Sequence, residues 1–231
     1  MDIREIVLDT ETTGMDPFKG DRIVEIGCVE LLNHIPTGRT WQAYLNPERP
    51  IPPEATAVHG ITDEFVADKP VFLEKYPAFI EFIGGAKLVI HNAEFDMKFL
   101  NWELQNVGHK AISWNTVIDT LGMARKKFPG SPANLDALCR RFGIDNTGRV
   151  YHGALLDSEL LAEVYLELLG GRQHGLGLMV ETHNAGPAFE NRPAERLFKA
   201  PRVYTVPEEE QTAHEALVRK LKNPLWNRKP A

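Results

Sequence analysis

Apolar positions recur with period two in some stretches and period 3.6 in others as far as about residue 170, and the rhythm fades beyond it. Ile3–Leu8, Arg22–Leu32 and Thr40–Leu45 read as strands, the last closed by Asn46-Pro47. Three strands with short connections ahead of the first long helix favour antiparallel pairing. The Pro-rich stretch Pro50-Ile51-Pro52-Pro53 leads into a short helix and then Val58-His59-Gly60. An amphipathic helix is expected over Phe72–Ile83, then strand Lys87–Ile90, helix Glu94–Gln105 and strand Ile112–Ile118. Helices follow over Thr120–Lys127, Asn134–Phe142 and Ala154–Leu169, so residues 1–170 predict one α/β domain with a mixed five-stranded sheet flanked by helices.

The first strand carries the most informative chemistry. Ile6-Val7-Leu8-Asp9-Thr10-Glu11-Thr12-Thr13-Gly14 places two carboxylates two residues apart, on one face of a strand at its exit. Acids held so close repel each other unless a cation lies between them. Val89-Ile90-His91-Asn92-Ala93-Glu94-Phe95-Asp96 reads as a buried strand running into a helix with Asp96 in its first turn. In the last helix Asp157 shares a face with Leu160, Leu161 and Val164, so it points where the helix packs and needs a metal or a partner. His152 and Asp157 would lie about 140° apart on a helix. With Gly153 as the break, His152 belongs to the preceding loop, from which it can overhang a metal held by Asp157.

Asp9, Glu11, Asp96 and Asp157 are hard oxygen ligands, which suit Mg²⁺ or Mn²⁺ better than Zn²⁺. Two such ions stabilise the attacking and leaving oxygens of an in-line phosphoryl displacement, so the implied reaction is phosphodiester hydrolysis. Asp9-Thr10-Glu11-Thr12-Thr13-Gly14, His91-Asn92-Ala93-Glu94-Phe95-Asp96 and His152-Gly153-Ala154-Leu155-Leu156-Asp157, in that order, resemble the three exonuclease motifs of the DEDDh superfamily. Within it the chain is similar to the proofreading epsilon subunits of bacterial DNA polymerase III. The resemblance implies a ribonuclease H-like fold and 3′→5′ removal of mispaired terminal nucleotides from DNA by two divalent cations. Asp9, Glu11 and Asp157 would hold the metals, Asp96 would support the second ion partly through water, and His152 would be the general base. A base that takes a proton from water must be neutral at the working pH, as an ordinary imidazole mostly is, so activity should fall on acidification. Substrate contacts are implied at Thr10, Thr12, Val58 and His59. His91 and Asn92 either contact substrate or cap the helix.

Composition fits this reading. A 43% hydrophobic and 25% charged chain is that of a soluble globular protein, and neither a membrane-spanning stretch nor a signal peptide is evident, so cytoplasmic residence is expected. Cys28 and Cys139 read as small core residues. Through residue 169, 16 Lys and Arg face 25 Asp and Glu, whereas from 170 onward 10 face 7. With no basic stripe on the domain, intrinsic DNA affinity should be weak and the substrate delivered by a partner.

Residues 171–193 read as a mobile linker. Within them Gln173-His174-Gly175-Leu176-Gly177-Leu178 resembles a sliding-clamp-binding peptide anchored by Gln173, Leu176 and Leu178, or is simply a Gly-rich linker. In residues 194–231, Leu197 and Phe198, a helix over Pro207–Lys222 with Ala213, Leu217 and Leu221 on one side, and Trp226 resemble the segment that binds the polymerase alpha subunit. A small accessory subunit on the catalytic domain is a further partner of this family. Three other readings compete. A superfamily cousin would trim RNA or oligoribonucleotides, a non-catalytic scaffold would link clamp and polymerase, and a glycosidase using paired carboxylates would work without metal.

Overall fold

The computed structural model describes residues 2–148, 151–171 and 206–221. Internal contacts divide the chain into two units, Met1–Leu178 and Met179–Ala231. The first holds strands β1 (Arg4–Thr12), β2 (Ile23–Leu32), β3 (Ile35–Tyr44), β4 (Lys87–Ile90) and β5 (Val117–Asp119) in the order β3-β2-β1-β4-β5. The β1–β2 and β2–β3 pairs are antiparallel, and β1–β4 and β4–β5 are parallel. Helices α1 (Pro53–His59), α2 (Asp63–Val66), α3 (Phe72–Ile83), α4 (Ala93–Asn106), α5 (Thr120–Lys127), α6 (Leu135–Phe142) and α7 (Ala154–Leu169) connect and cover the strands. Of the second unit the described residues form α8 (Glu208–Lys220), with Leu217 on the helix and Leu221 at its C-cap both exposed.

Alternation along β1 decides which helix meets which side chain. Ile6 and Leu8, with their cross-strand partners' face carrying Ile26 and Cys28, join Phe79 of α3 and Met97 and Leu100 of α4 in one core. Val7, with Val29 and Leu31, packs against Leu138 of α6 and Leu161 and Val164 of α7. The two faces of one strand therefore serve two cores, and Asp9 and Glu11 follow Val7 onto the α7 face. Cys28 and Cys139 are both buried in the cores, as their settings predicted. Among the described residues no helix is long and apolar enough to cross a membrane.

The structure corrects several boundaries. β1 continues to Thr12, so the two acids lie inside a paired strand, Asp9 opposite Gly27 and Glu11 opposite Glu25, and not at its exit. β3 begins at Ile35 and not at Thr40, after a tight turn in which Asn33 and His34 have φ of 53° and 68°. Its first six residues are exposed, which erased the alternation a reading of apolar positions needs. The strand expected over Ile112–Ile118 is only Val117–Asp119, because Trp114–Thr116 forms a 3₁₀ turn capped by Ser113.

One buried ion pair secures α4 to the start of β2. Arg22 grips Glu103 through two parallel bonds, Nε–Oε1 2.7 Å and Nη2–Oε2 3.0 Å, over the face of Trp102. Glu103 is 1% exposed, so Glu103→Ala leaves a guanidinium with its main counter-charge gone. We expect it to destabilise the protein by about 3 kcal/mol, read as a lower urea midpoint at unchanged slope.

Candidate active site

The four predicted acids converge at the carboxyl ends of β1 and β4, where the sheet changes from antiparallel to parallel neighbours. This is the crevice at which open α/β sheets take ligands. Asp9 and Glu11 come from β1, Asp96 from the first turn of α4, and Asp157 from the first turn of α7. With Thr10, His91, Asn92, Phe95 and His152 they line one cavity of about 710 Å³. Ligand atoms of Glu11, His152 and Asp157 all lie within 4.8 Å of one another. Asp96 and Asp157 are each 3% exposed and Glu11 7%.

Asp96 reaches the cluster from the other face of β1. It accepts a hydrogen bond of 2.7 Å from the Thr10 hydroxyl, so Thr10 positions an acid across the strand. Burial pushes the Asp96 carboxyl up to about 7, only partly opposed by the hydrogen bonds it accepts from Thr10. His152 lies on the loop before α7, as the Gly153 break predicted, with its side chain 48% exposed and Nδ1 3.7 Å from Asp157 Oδ2. Its backbone N–H donates to the Val58 carbonyl at 3.0 Å, tying the loop to α1.

Three residues that hold this arrangement were not singled out in the sequence. Glu25, buried on β2, accepts the Ala154 N–H at 3.1 Å and so caps α7, which has no side-chain cap of its own. A glutamate flanked by Ile23, Val24 and Ile26 in a strand was the available signal. Gly27 lets α7 come close, since a Cβ there would lie 2.2 Å from the Ala154 carbonyl carbon, and Ser158 donates to the Gly27 carbonyl at 3.0 Å. Glycine in a strand interior marks such approaches. Asp119 accepts from the N–H groups of Leu121 and Gly122 on α5 and of Asn92 and Ala93 on α4, so one carboxylate joins two helix starts.

Asn92 is the N-cap residue in a left-handed conformation (φ 65°), yet its side chain makes no capping bond and lines the cavity instead. His91 pairs through Nδ1 with the Thr120 hydroxyl at 2.9 Å, and burial holds its ring below the ordinary imidazole range. Thr12, Val58 and His59 line an adjoining cleft of about 510 Å³ with Gly14, Met15 and Phe95. His59 Nδ1 accepts the Ile61 N–H at 3.0 Å, and burial lowers its pKa as well. The Nε2 atoms of His59 and His91 are buried, and the two rings interact with the backbone of Thr12 and of Ala133 respectively. Gln173, Leu176, Leu178, Leu197, Phe198 and Trp226 lie outside the described residues.

A five-stranded mixed sheet with acids from β1, α4 and α7 and a histidine before α7 defines the DEDDh class of exonuclease fold. The sequence model of the Exonuclease (RNase T) family matches residues 6–165. The DNA polymerase III subunit epsilon of Rickettsia conorii is 58% identical over 174 residues, covering 74% of this chain and 76% of that one. The subunit of the same name from Escherichia coli K12 is 46% identical over 223 residues, covering 92% of this chain and 91% of its own. Among solved structures, exonuclease X in complex with 5′-overhanging duplex DNA is similar at a TM-score of 0.57 and 28% identity, covering 71% of this chain and 90% of that one. The nuclease domain of 3′hExo, a DEDDh family member bound to rAMP, superposes at a TM-score of 0.63 over 72% of this chain and 91% of its own; at 24% identity it supports the fold. The chain belongs to the exonuclease family and, within it, to the epsilon subunits of DNA polymerase III, proofreading 3′→5′ exonucleases.

Proposed function

We propose that this chain removes mispaired 3′-terminal nucleotides from DNA, with Asp9, Glu11, Asp96 and Asp157 as ligands to two divalent cations, Mg²⁺ or Mn²⁺, and His152 as general base. The observation that carries the assignment is the convergence of Glu11, His152 and Asp157 within 4.8 Å, in a cavity also lined by Asp9 and Asp96. The donor set fits the ions, being hard carboxylate oxygens from four side chains that line one cavity. When bound, the cations would supply Lewis acidity at the scissile phosphate and lower the pKa of the attacking water.

The chain's own groups do the rest. His152 takes the water's proton on its imidazole as the oxygen attacks phosphorus and the 3′-oxygen of the preceding nucleotide leaves in line. The N–H···O=C bond to Val58 keeps that imidazole over the cluster. Thr10, Thr12, Val58, His59, His91 and Asn92 hold the terminal nucleotide, a reading supported by their place on the walls of the two adjoining cavities. A frayed mismatched end enters more readily than a paired one, because the pocket then spares the cost of unpairing.

Asp96 supplies a test without turnover. Its carboxyl keeps a proton in the folded state that it loses in the unfolded chain between about pH 4 and 7, so metal-free stability falls as pH rises through that window. A divalent cation offsets the penalty once the group is ionised. We expect Mn²⁺ to raise the Tm of the protein by several degrees more at pH 8 than at pH 5. Equal increments at both values would remove Asp96 from the ligand set.

Outside the domain, residues 171–193 serve as linker and 194–231 as the segment that binds the polymerase alpha subunit. Exposure of Leu217 on α8 and Leu221 at its C-cap supports the latter, as an apolar pair left for a partner. Clamp binding through Gln173, Leu176 and Leu178, an accessory subunit on the domain and cytoplasmic residence complete the reading. Tethering would replace the DNA affinity that an acidic domain lacks by effective concentration.

A further inference from the structure

We propose that Arg125 is a strand-positioning residue that binds a backbone phosphate of the DNA on the 5′ side of the scissile bond. The cavity wall contains Asp9, Glu11, Asp96, Asp136 and Asp157, and Arg125 is the one lysine or arginine among its described lining residues. A polyanionic strand entering this cavity runs past carboxylates as well as the metals. A cation on the same wall gives the strand a second point of attachment.

Arg125 is held ready for such a role. It makes no hydrogen bond or ion pair with any described residue, although Asp136 lines the same cavity. Arg4, Arg22, Arg39 and Arg49 are all engaged by carboxylates. Its position is nevertheless fixed from both ends of α5. Asp119 caps the start of the helix and bonds the N–H groups of Asn92 and Ala93, joining α5 to the helix that carries Asp96. At the far end Lys127 Nζ donates to the carbonyls of Glu167 and Leu168 at 3.0 and 2.9 Å, which fastens α5 to the end of α7. Arg125 shares the cavity-facing side of the helix with Leu121, four residues earlier. A guanidinium on this frame presents paired N–H donors that match two phosphate oxygens. The competing role is structural, since a basic residue in the last turn of a helix complements its dipole.

The inference rests on the cavity being the reaction centre, and the two ideas fail separately. If the acids are not catalytic, Asp9→Ala/Glu11→Ala keeps its kcat, whereas the proposal for Arg125 is read in KM. With the full chain, Mg²⁺ and a single-stranded oligonucleotide, Arg125→Ala should raise KM about tenfold with kcat within about twofold, and flatten the salt dependence of binding by about one phosphate contact. Arg125→Lys should keep the salt dependence while recovering KM only in part. Oligonucleotides with a single uncharged methylphosphonate, placed in turn at each of the first few phosphates 5′ of the scissile one, locate the contact. At one position the wild type should weaken as much as Arg125→Ala does, and that variant should lose nothing further. An unchanged KM, a loss confined to kcat or to Tm, or equal losses for wild type and variant at every methylphosphonate would overturn the proposal.

Discussion

Replacing Asp9 and Glu11 together with alanine is expected to lower kcat for release of 3′ nucleotides by roughly 10⁴-fold or more, as removal of groups that act as a unit does elsewhere. The reason is positional. Both acids project from β1 onto the α7 face, where Glu11 lies within 4.8 Å of His152 and Asp157. The fold should survive the change, because neither side chain belongs to the apolar cores. The metal-free double variant should still melt cooperatively, near the wild-type temperature, and Mn²⁺ should no longer raise its Tm. Activity lost together with a large fall in Tm would instead mean that the acids serve the fold.

Gly27→Ala is expected to cost about 100-fold in kcat without a substitution at any acid or at His152. A Cβ at this position would sit 2.2 Å from the Ala154 carbonyl carbon and 2.3 Å from the Leu155 nitrogen. Backbone cannot rotate away as a long side chain can, so the start of α7 must shift by about 1 Å or more. A displacement of that size is enough to lose two orders of magnitude in a positioned reaction. The same shift strains the Glu25 bond to Ala154 and the Ser158 bond to Gly27, and overpacking adds about 1–3 kcal/mol of destabilisation. Far-UV circular dichroism should stay near wild type while Tm and kcat fall together. Full activity with alanine at 27 would show that the α7 start is not held as closely as the strand and helix indicate.

Asp9 and Glu11 were legible because they end an apolar run two residues apart, and Asp157 because a helical stripe surrounds it. Such patterns encode which face a side chain takes. Gly27, Glu25 and Asp119 act through approach between elements distant in sequence, which periodicity along one element does not encode. Arg125 was hidden for a different reason, because Arg125-Lys126-Lys127 reads as an ordinary basic helix end. β3 was shortened because its exposed residues lack an apolar face, and α8 was legible because its apolar positions recur at helical spacing.

The most direct test of the central claim follows a 5′-labelled primer, annealed with a paired or a mismatched 3′ end, with the full chain in Mg²⁺ and then with excess chelator. The account predicts stepwise shortening from the 3′ end, faster on the mismatch, arrested by chelator and absent in the Asp9→Ala/Glu11→Ala variant. Shortening that persists in chelator or in that variant would contradict it, because the reaction would then take place somewhere other than the acid-lined cavity.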